Sequence, residues 1–196
     1  FTRAINKHKV TIVSSNSSLG TVDMSSITVD YNTKFSSNGT TLTVGTTNIT
    51  ASAKSNARFV SWSPASGTIT ADTTITAKLE ETVVVTINII KPAGSKATYS
   101  FKEYATAADV ISGTNYHLFR TMASITIGKG YYLGIVADVT EADSSTNSYE
   151  LLCMYIDNNL TTNMPVSSIK GSDNGCVEIT SSTTVKLEFF TAYKTV

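Results

Sequence analysis

The sequence predicts a mostly β protein made of two small antiparallel β domains in tandem, the second with one short helix. Three observations support this fold class. Charged residues make up only 15% of the 196 residues, and Ser and Thr take their place. Thr favours strands because its β-branched side chain fits a pleated sheet. Short alternating segments end at Gly or Asn turn signals, and the pattern stops and restarts at Glu81–Thr82.

The first domain is predicted over residues 10–81, after a basic lead-in at residues 1–9 that we expect to be a linker. Asn38-Gly39 is its strongest hairpin signal, because both residue types tolerate a positive φ. Ser26–Tyr31 alternates with period two, which indicates one apolar face. The predicted strands before the tryptophan are 10–13, 20–22, 26–31, 41–44 and 48–53.

The stretch Phe59–Glu80 contains the only tryptophan and closes the first domain. Phe59 and Trp62 are three residues apart, so a flat strand would place them on opposite faces of the sheet. A bend or bulge near Trp62 would bring both rings into one core, which is where we expect them. Residues 64–67 predict a turn, and Thr68–Glu80 predicts a hairpin.

The second domain is predicted over residues 82–196. Tyr104, Ala107, Ala108 and Ile111 follow helical spacing, so Lys102–Ile111 predicts a short helix that ends before a glycine at 113. The polar residues 157–175 predict a long surface loop. The predicted strands are 83–90, 97–101, 116–119, 124–127, 131–139, 149–156, 176–179 and 184–190.

Parts of the two domains resemble each other. Ile69–Glu80 reads ITADTTITAKLE and Ile179–Phe189 reads ITSSTTVKLEF. Two shorter matches occur in the same order, 10–12 with 85–87 and 41–45 with 124–128. The simplest explanation is a duplicated unit whose second copy has gained loops. Shared strand composition is the alternative explanation.

The first domain also carries an ordered series of short motifs. They are V-T-I at 10–12, G-T-V at 20–22, I-T-V-x-Y at 27–31, I-T-A-x-A at 49–53, F-x-x-W at 59–62 and I-T-A-D-T-T-I-T-A-x-L at 69–79. This order resembles the bacterial internalin-B-type B repeat, or Listeria–Bacteroides repeat, over about residues 10–80. The resemblance implies a β-grasp-like fold and an extracellular stalk or adhesive role without catalytic residues. One departure is Asn56-Ala57-Arg58, where the family has a glycine before F-x-x-W.

Charge and hydropathy exclude several partners. Fifteen basic and fifteen acidic residues cancel, so no net field favours nucleic acid or an anionic membrane. The longest apolar run, Val83–Ile90, is too short to span a bilayer, and we expect no membrane insertion. The chain begins at Phe1 without a signal-peptide pattern, so we expect a piece of a larger protein. The partners that remain are a surface protein or glycan, neighbouring repeats, or capsid and tail proteins.

No motif predicts an enzyme, a cofactor or a metal site. His8 lies in the lead-in and His117 in a predicted strand, where a structural role is the simpler interpretation. Residues 128–130 read Gly-Lys-Gly, but no helix follows to form a phosphate site. The acidic residues considered for calcium, whose spacing matches no EF-hand, are Glu141, Asp143, Asp157 and Asp173.

Two cysteines, Cys153 and Cys176, fit no zinc motif. They are predicted either as buried thiols or as a disulfide between two late strands. Aromatic residues of the second domain are predicted either as core and cross-strand pairs or as a glycan-binding face. The candidates for such a face are Tyr131, Tyr132 and Tyr116, with Phe119, Tyr149 and Tyr155 as further members.

These observations favour a non-catalytic extracellular structural or adhesion module of a bacterial surface protein. A head-fibre, decoration or tail domain of a bacteriophage virion is the first alternative. A carbohydrate-binding accessory domain of a secreted enzyme is the second alternative.

Overall fold

The computed structural model describes residues 6–91, 98–120, 122–138, 147–157, 159–160 and 175–193. The chain is mostly β with several antiparallel sheets and one short helix, as the sequence predicts. It divides into two compact units, Phe1–Thr82 (unit 1) and Val83–Val196 (unit 2). No helix among the described residues is long and apolar enough to cross a membrane.

Unit 1 contains two sheets around one apolar core. Its strands pair in the orders β7-β9-β1-β3 and β2-β6-β5-β4-β8. The strands are β1 (Lys7–Ser14), β2 (Gly20–Val22), β3 (Ser26–Asp30), β4 (Thr33–Asn38), β5 (Thr41–Val44), β6 (Thr47–Ala53), β7 (Ala57–Ser63), β8 (Ser66–Ile69) and β9 (Thr73–Ile90), of which residues 73–82 belong to this unit. The core side chains come from alternate strand positions in both sheets and include Ile12, Leu42, Ile49, Ile69 and Ile75.

The hairpin predicted for Thr68–Glu80 is wrong. Strand β8 pairs with β4 in one sheet, whereas β9 pairs with β1 and β7 in the other. The residues between β8 and β9 therefore carry the chain from one sheet to the other. Ile69 and Ile75 both point into the core, because the two sheets enclose it from opposite sides.

The bulge predicted near Trp62 is confirmed. Strand β7 pairs antiparallel with β9, and the register shifts between Phe59 and Ser61. Phe59 then lies opposite Leu79 and Trp62 opposite Ala77, both on the core side of β9. Trp62 is only 3% exposed, so its predicted core role is confirmed.

The turn predicted at Asn38-Gly39 joins β4 to β5, displaced by one residue. Asn38 pairs with Thr41, so the two-residue loop is Gly39-Thr40. Gly39 has a φ of 55°, which a glycine adopts without steric cost. Asn38 remains in the strand because the loop needs positive φ only at its first position.

The described residues of unit 2 also form two sheets around an apolar core. Its strands pair in the orders β15-β14-β17-β9-β12 and β11-β10-β13-β16. Its elements after residues 83–90 of β9 are β10 (Thr98–Tyr104), α1 (Ala107–Ser112), β11 (Tyr116–Arg120), β12 (Ser124–Gly128), β13 (Tyr131–Asp138), β14 (Asn147–Ile156), β15 (Asn159–Leu160), β16 (Gly175–Ile179) and β17 (Thr183–Tyr193). The core includes Val85, Phe101, Ile127, Leu133 and Leu187.

Two predicted boundaries in unit 2 differ from the structure. The strand predicted to open at Val83 is the continuation of β9, which runs unbroken from Thr73. The helix is shorter than predicted, because Tyr104 belongs to β10 and its side chain is fully buried there. Helix α1 begins after the N-cap Thr106 and ends at Gly113, whose φ of 67° is left-handed. Of the predicted loop at 157–175, only residues 157, 159–160 and 175 are described.

The first and last strands of each unit pair in parallel, with the same register. In unit 1, Ile12 of β1 pairs with Ile75 of β9. In unit 2, Ile87 of β9 pairs with Val185 of β17. Val-Thr precedes both Ile12 and Ile87, and Thr-Thr precedes both Ile75 and Val185. The match of 10–12 with 85–87 and that of 69–80 with 179–189 therefore pair with each other at the same place in each unit.

The bulge recurs at the corresponding position of unit 2. Strand β14 pairs with β17, and its register shifts between Leu151 and Cys153, opposite Phe189. Phe189 lies four residues after Val185, just as Leu79 lies four residues after Ile75. This common framework is what a duplication would produce, and the duplication itself stays a prediction.

One of the three sequence matches is wrong in this register, and another is offset at its end. Ser124–Gly128 forms β12, which pairs with β9 as β3 pairs with β1, so its counterpart is Ser26–Asp30 and not Thr41–Gly45. The amide of Ile87 donates to the carbonyl of Ala123, as that of Ile12 does to Ser25. The two Lys-Leu-Glu triplets at the ends of the longest match, 78–80 and 186–188, are offset by two residues, because Lys186 follows Val185 directly whereas two residues separate Ile75 from Lys78.

Candidate functional site

Two of the predicted ligand-facing tyrosines lie in one row across a sheet of unit 2. Tyr104 of β10 pairs with Tyr116 of β11 on one side and with Tyr132 of β13 on the other. Directly paired residues of antiparallel strands share a face, so these three side chains form what we call the tyrosine row. The face is the outer one, because the neighbouring residues Phe101 and Leu133 point into the core.

The tyrosine row is partly covered. Tyr104 is fully buried, whereas Tyr116 is 44% exposed. Helix α1 packs against β10 and β13 and buries Val110, so it covers this part of the sheet. The rings of Tyr104 and Tyr116 meet edge to face with centroids 5.7 Å apart. The accessible members of the row are therefore Tyr116 and the half-buried Tyr132.

A lysine adds a positive charge to the exposed end of the tyrosine row. Lys102 lies two residues before Tyr104 on the same face, and its Nζ atom is 4.6 Å from the centre of the Tyr116 ring. A cation over an aromatic face is attracted by the ring quadrupole and holds the ring in place. An exposed ring beside hydrogen-bond donors suits stacking on a sugar or contact with a protein side chain.

Tyr131 does not join the tyrosine row. It neighbours Tyr132 in β13, and successive strand residues point to opposite faces. Its partner in β16 is the buried Ile179, and its ring lies against Gly128, where an added Cβ would be 2.8 Å from the ring. The structure thus places Tyr116 and Tyr132 on one face and Tyr131 on the other.

The remaining aromatic candidates occupy other positions. Phe119 packs against the core and stacks on His117, with ring centroids 4.5 Å apart and an interplanar angle of 6°. His117 is thus held by a ring contact within its strand, as a structural residue would be. The side chains of Tyr149 and Tyr155 lie outside the described residues.

Of the two cysteines predicted as a disulfide or as buried thiols, the structure describes the side chain of Cys176 alone. Cys176 is half-buried in β16, where it pairs with Gly134 on the same outer face as Tyr132. Cys153 lies in β14 at the bulge, and its side chain is outside the described residues. The disulfide and the buried-thiol alternatives both stay predictions.

The described residues contain no group of three or more His, Cys, Asp or Glu that would hold a metal ion. Of the acidic candidates only Asp157 is described. Its Oδ1 atom accepts the backbone N–H of Thr184 at 2.8 Å, and this hydrogen bond holds its pKa below the usual value. Asp157 therefore anchors the backbone at the start of β17.

Sequence reasoning missed a buried carboxylate and a polar groove. Glu103 is 4% exposed, and its Oε1 atom accepts the backbone N–H of Gly128 at 2.8 Å. The groove, of about 360 Å³, lies on the outer face of β5, β4 and β8 in unit 1. Its hydroxyl and ammonium groups belong to Lys34, Ser36, Thr43, Ser66 and Thr68. No local motif predicts the buried Glu103 carboxylate or the groove, because both depend on which strands become neighbours.

No family model matches the chain, and no curated protein matches it. Among solved structures, the major pilin protein T-13 of Streptococcus pyogenes is similar at 8% identity and a TM-score of 0.32, over 99% of this chain and 98% of that one. The C-terminal fragment of the pilus adhesin SpaC from Lactobacillus rhamnosus GG is similar at 8% identity and a TM-score of 0.27, over 97% and 99%. Domains 3-4 of the Streptococcal High Identity Repeats in Tandem of a cell surface protein are similar at 11% identity and a TM-score of 0.22, over 94% of this chain and 99% of that one.

Proposed function

We propose that the chain is a non-catalytic structural or adhesion module of a bacterial surface protein, with unit 1 as an internalin-B-type repeat. The observation that carries the proposal is the parallel pairing of first and last strands in each unit. Parallel neighbours run in one direction, so the chain enters such a pair at one end and leaves it at the other. This connectivity suits modules that follow one another in an extended stalk.

The family motifs support the same role. Phe59 and Trp62, the ends of F-x-x-W, meet in the core of unit 1 with ring centroids 5.8 Å apart. Ile69, Ile75 and Leu79 of the last motif are buried around them. These motif residues build the core and leave no recognisable reactive group there, which fits a scaffold rather than an enzyme.

Surface localisation is the direct test. Antibodies raised against the recombinant chain are applied to intact, unpermeabilised cells of the source bacterium and, in parallel, to its purified phage particles. Labelling of intact cells is the expected result. Labelling of virions alone would replace the proposal with the head-fibre, decoration or tail alternative. Signal only after permeabilisation would reject both.

The tyrosine row favours a second candidate function, binding of a surface glycan. Tyr116 is 44% exposed, and the Lys102 ammonium group lies over its ring. The test is a glycan array probed with the full chain and with Tyr116→Ala. Loss of the array signal in that variant supports the function. Tyr31→Ala is a matched control, because Tyr31 is 51% exposed in unit 1, and we expect it to bind normally.

A further inference from the structure

We propose that each unit is a force-bearing link and that the parallel pair of its first and last strands is the mechanical clamp. The clamp of unit 1 is Val10–Ser14 paired with Thr73–Ala77, and that of unit 2 is Val85–Ile90 paired with Thr183–Glu188. This goes beyond the proposed function, since a spacer need not resist tension. It holds equally for a bacterial surface and for a virion.

The direction of load makes these pairs resistant. Tension enters unit 1 at the start of β1 and leaves it at the end of its part of β9, so it pulls the two strands along their axes in opposite directions. The ladder hydrogen bonds lie across the strands and are strained together under such shear. A pair pulled from one end would instead lose its hydrogen bonds one at a time.

Side-chain hydrogen bonds extend the clamp of unit 1 beyond its ladder. At its start, the backbone N–H of Lys9 donates to Asp72 Oδ1 at 2.9 Å. At its end, the backbone N–H of Ser15 donates to the carbonyl of Ala77 at 2.8 Å, and that of Leu79 donates to Ser15 Oγ at 3.0 Å. These contacts add further bonds that must break in the same event.

The clamp of unit 2 begins in the same way. The backbone N–H of Val84 donates to Ser182 Oγ at 3.2 Å, one residue before the paired segments, as Lys9 and Asp72 do in unit 1. The backbone N–H of Thr184 also donates to Asp157 Oδ1. Asp72 in unit 1 and Ser182 in unit 2 thus occupy the same place, next to the first paired residue.

The core shields one side of both clamps. Ile12 and Ile75 are at most 1% exposed in unit 1, and Ile87 and Val185 are also buried in unit 2. Water that competes for a strained backbone hydrogen bond therefore cannot approach from the core face. Strand β9 belongs to both clamps, so load that leaves the first one enters the second through the covalent chain from Thr82 to Val83.

Single-molecule force spectroscopy of the full chain tests the proposal through the direction of pulling. One arm attaches handles at the two termini and loads both clamps in shear. The other attaches one handle at the N-terminus and one at Thr70, an exposed residue just before β9, through an unnatural amino acid with a click group. This second geometry peels the clamp of unit 1 from one end.

We expect the lifetime of unit 1 at a given force to be on the order of 100-fold shorter when the clamp is peeled, as if about two fewer hydrogen bonds had to break together. Equal lifetimes in the two geometries would overturn the proposal. Because this comparison needs no substitution inside the clamp, it stays decisive even where a variant fails to fold.

A second arm removes one clamp bond. Val13 lies two residues before Ser15, so its backbone N–H points to the same side of β1, toward β9. Val13→Pro removes that donor, and we expect a roughly tenfold shorter lifetime under terminal load. Leu42→Ala is the control, since it creates a cavity in the other sheet of the same core. If the two variants are equally stable without force but Leu42→Ala shortens the lifetime under load more than Val13→Pro does, the result would contradict the clamp.

Discussion

The rings of Phe59 and Trp62 lie on the same side of strand β7, with centroids 5.8 Å apart, although three residues separate them in the chain. The extra residue of the bulge, Val60, makes this arrangement possible. Val60 itself is 51% exposed, so its side chain adds little to the core. The position of one backbone unit therefore decides where two large aromatic side chains point.

Deletion of Val60 should leave both aromatic rings in the core of unit 1. It removes the extra residue of the bulge and leaves Phe59 and Trp62 two positions apart, so a regular strand points both side chains to one face. The cost should therefore stay below the loss of about 3–5 kcal/mol of unfolding free energy that removal of a buried aromatic ring causes. Urea denaturation measures this cost, and an unshifted fluorescence maximum of the single tryptophan would show that Trp62 stays buried.

Val60→Thr is the control for the deletion. It keeps the bulge and the β-branched shape, and exposed substitutions of this kind usually change stability by less than about 0.5 kcal/mol. A red shift of the tryptophan in the deletion variant but not in Val60→Thr would contradict this account of the bulge.

The sequence predicts local features of the fold better than strand partners. Ile75, Ala77 and Leu79 share a face, as their alternation predicts, and the bulge follows from the three-residue spacing of two aromatics. The hairpin predicted over β8 and β9 is wrong because the partners of these strands, β4 and β1, lie far back in the chain. Pairing between distant segments is set by the whole core, which no local pattern encodes.

The candidate site shows the same division. Tyr131 and Tyr132 are adjacent in a predicted strand, so their separation onto two faces was available from the sequence. The meeting of Tyr104, Tyr116 and Tyr132 was not, because it depends on the register of three strands. Tyr104 also fits the helical spacing of residues 104–111, and its burial within β10 overrides that local pattern.

Gly67→Ala should destabilise unit 1 through Phe35. The two residues pair across β4 and β8, and a Cβ at position 67 would lie 2.8 Å from Cε1 of the Phe35 ring. Because Phe35 is buried, the ring has little room to move, and overpacking of this kind costs about 1–3 kcal/mol. Urea denaturation of the variant measures the effect.

A double-mutant cycle with Phe35→Leu isolates that contact. We expect the penalty of Gly67→Ala to shrink in the Phe35→Leu background, because the shorter side chain lacks the ring atoms that clash. Ser66→Ala, an exposed change at the preceding residue, should be nearly neutral. An unchanged penalty in the double variant would show that the backbone of β8, and not the ring, needs the glycine.

Glu103 should act in unit 2 as a buried acceptor that can be replaced by an uncharged one. Strand β13 pairs with β16, the strand before β17, as β4 pairs with β8, the strand before β9, and this register aligns Leu133 with Phe35. Glu103 pairs with Leu133 as Val44 pairs with Phe35, so a carboxylate occupies a place where unit 1 has an apolar residue. Glu103→Gln keeps an oxygen near the N–H of Gly128. Glu103→Ala leaves that donor unsatisfied, which costs about 1–3 kcal/mol.

Chemical denaturation of the two Glu103 variants checks this expectation, with Glu103→Gln the more stable. Equal losses of stability in Glu103→Gln and Glu103→Ala, relative to the wild type, would mean that an uncharged oxygen acceptor cannot replace the carboxylate. Val44→Ala in unit 1 gives the reference cost of a cavity at the matching position without any change in hydrogen bonding.

Asp109 should make the stability of helix α1 depend on pH. The Thr106 hydroxyl donates to its Oδ2 at 2.6 Å and the Asn115 amide donates to its Oδ1 at 2.9 Å, and these hydrogen bonds hold the pKa of Asp109 below its usual value. A carboxyl whose pKa is lowered by folding adds stability above its unfolded pKa. That stability is lost as the pH falls through the folded pKa.

The difference in stability between the wild type and Asp109→Asn should therefore shrink as the pH is lowered from 7 to 2. The comparison removes the contributions of other carboxyls, including Asp157, because both proteins share them. NMR titration of the Asp109 carboxyl provides a second measurement, and Thr106→Ala should raise its pKa because the hydrogen bond that lowers it most is lost. A difference that stays constant down to pH 2 would mean that the charge of Asp109 does not stabilise the cap.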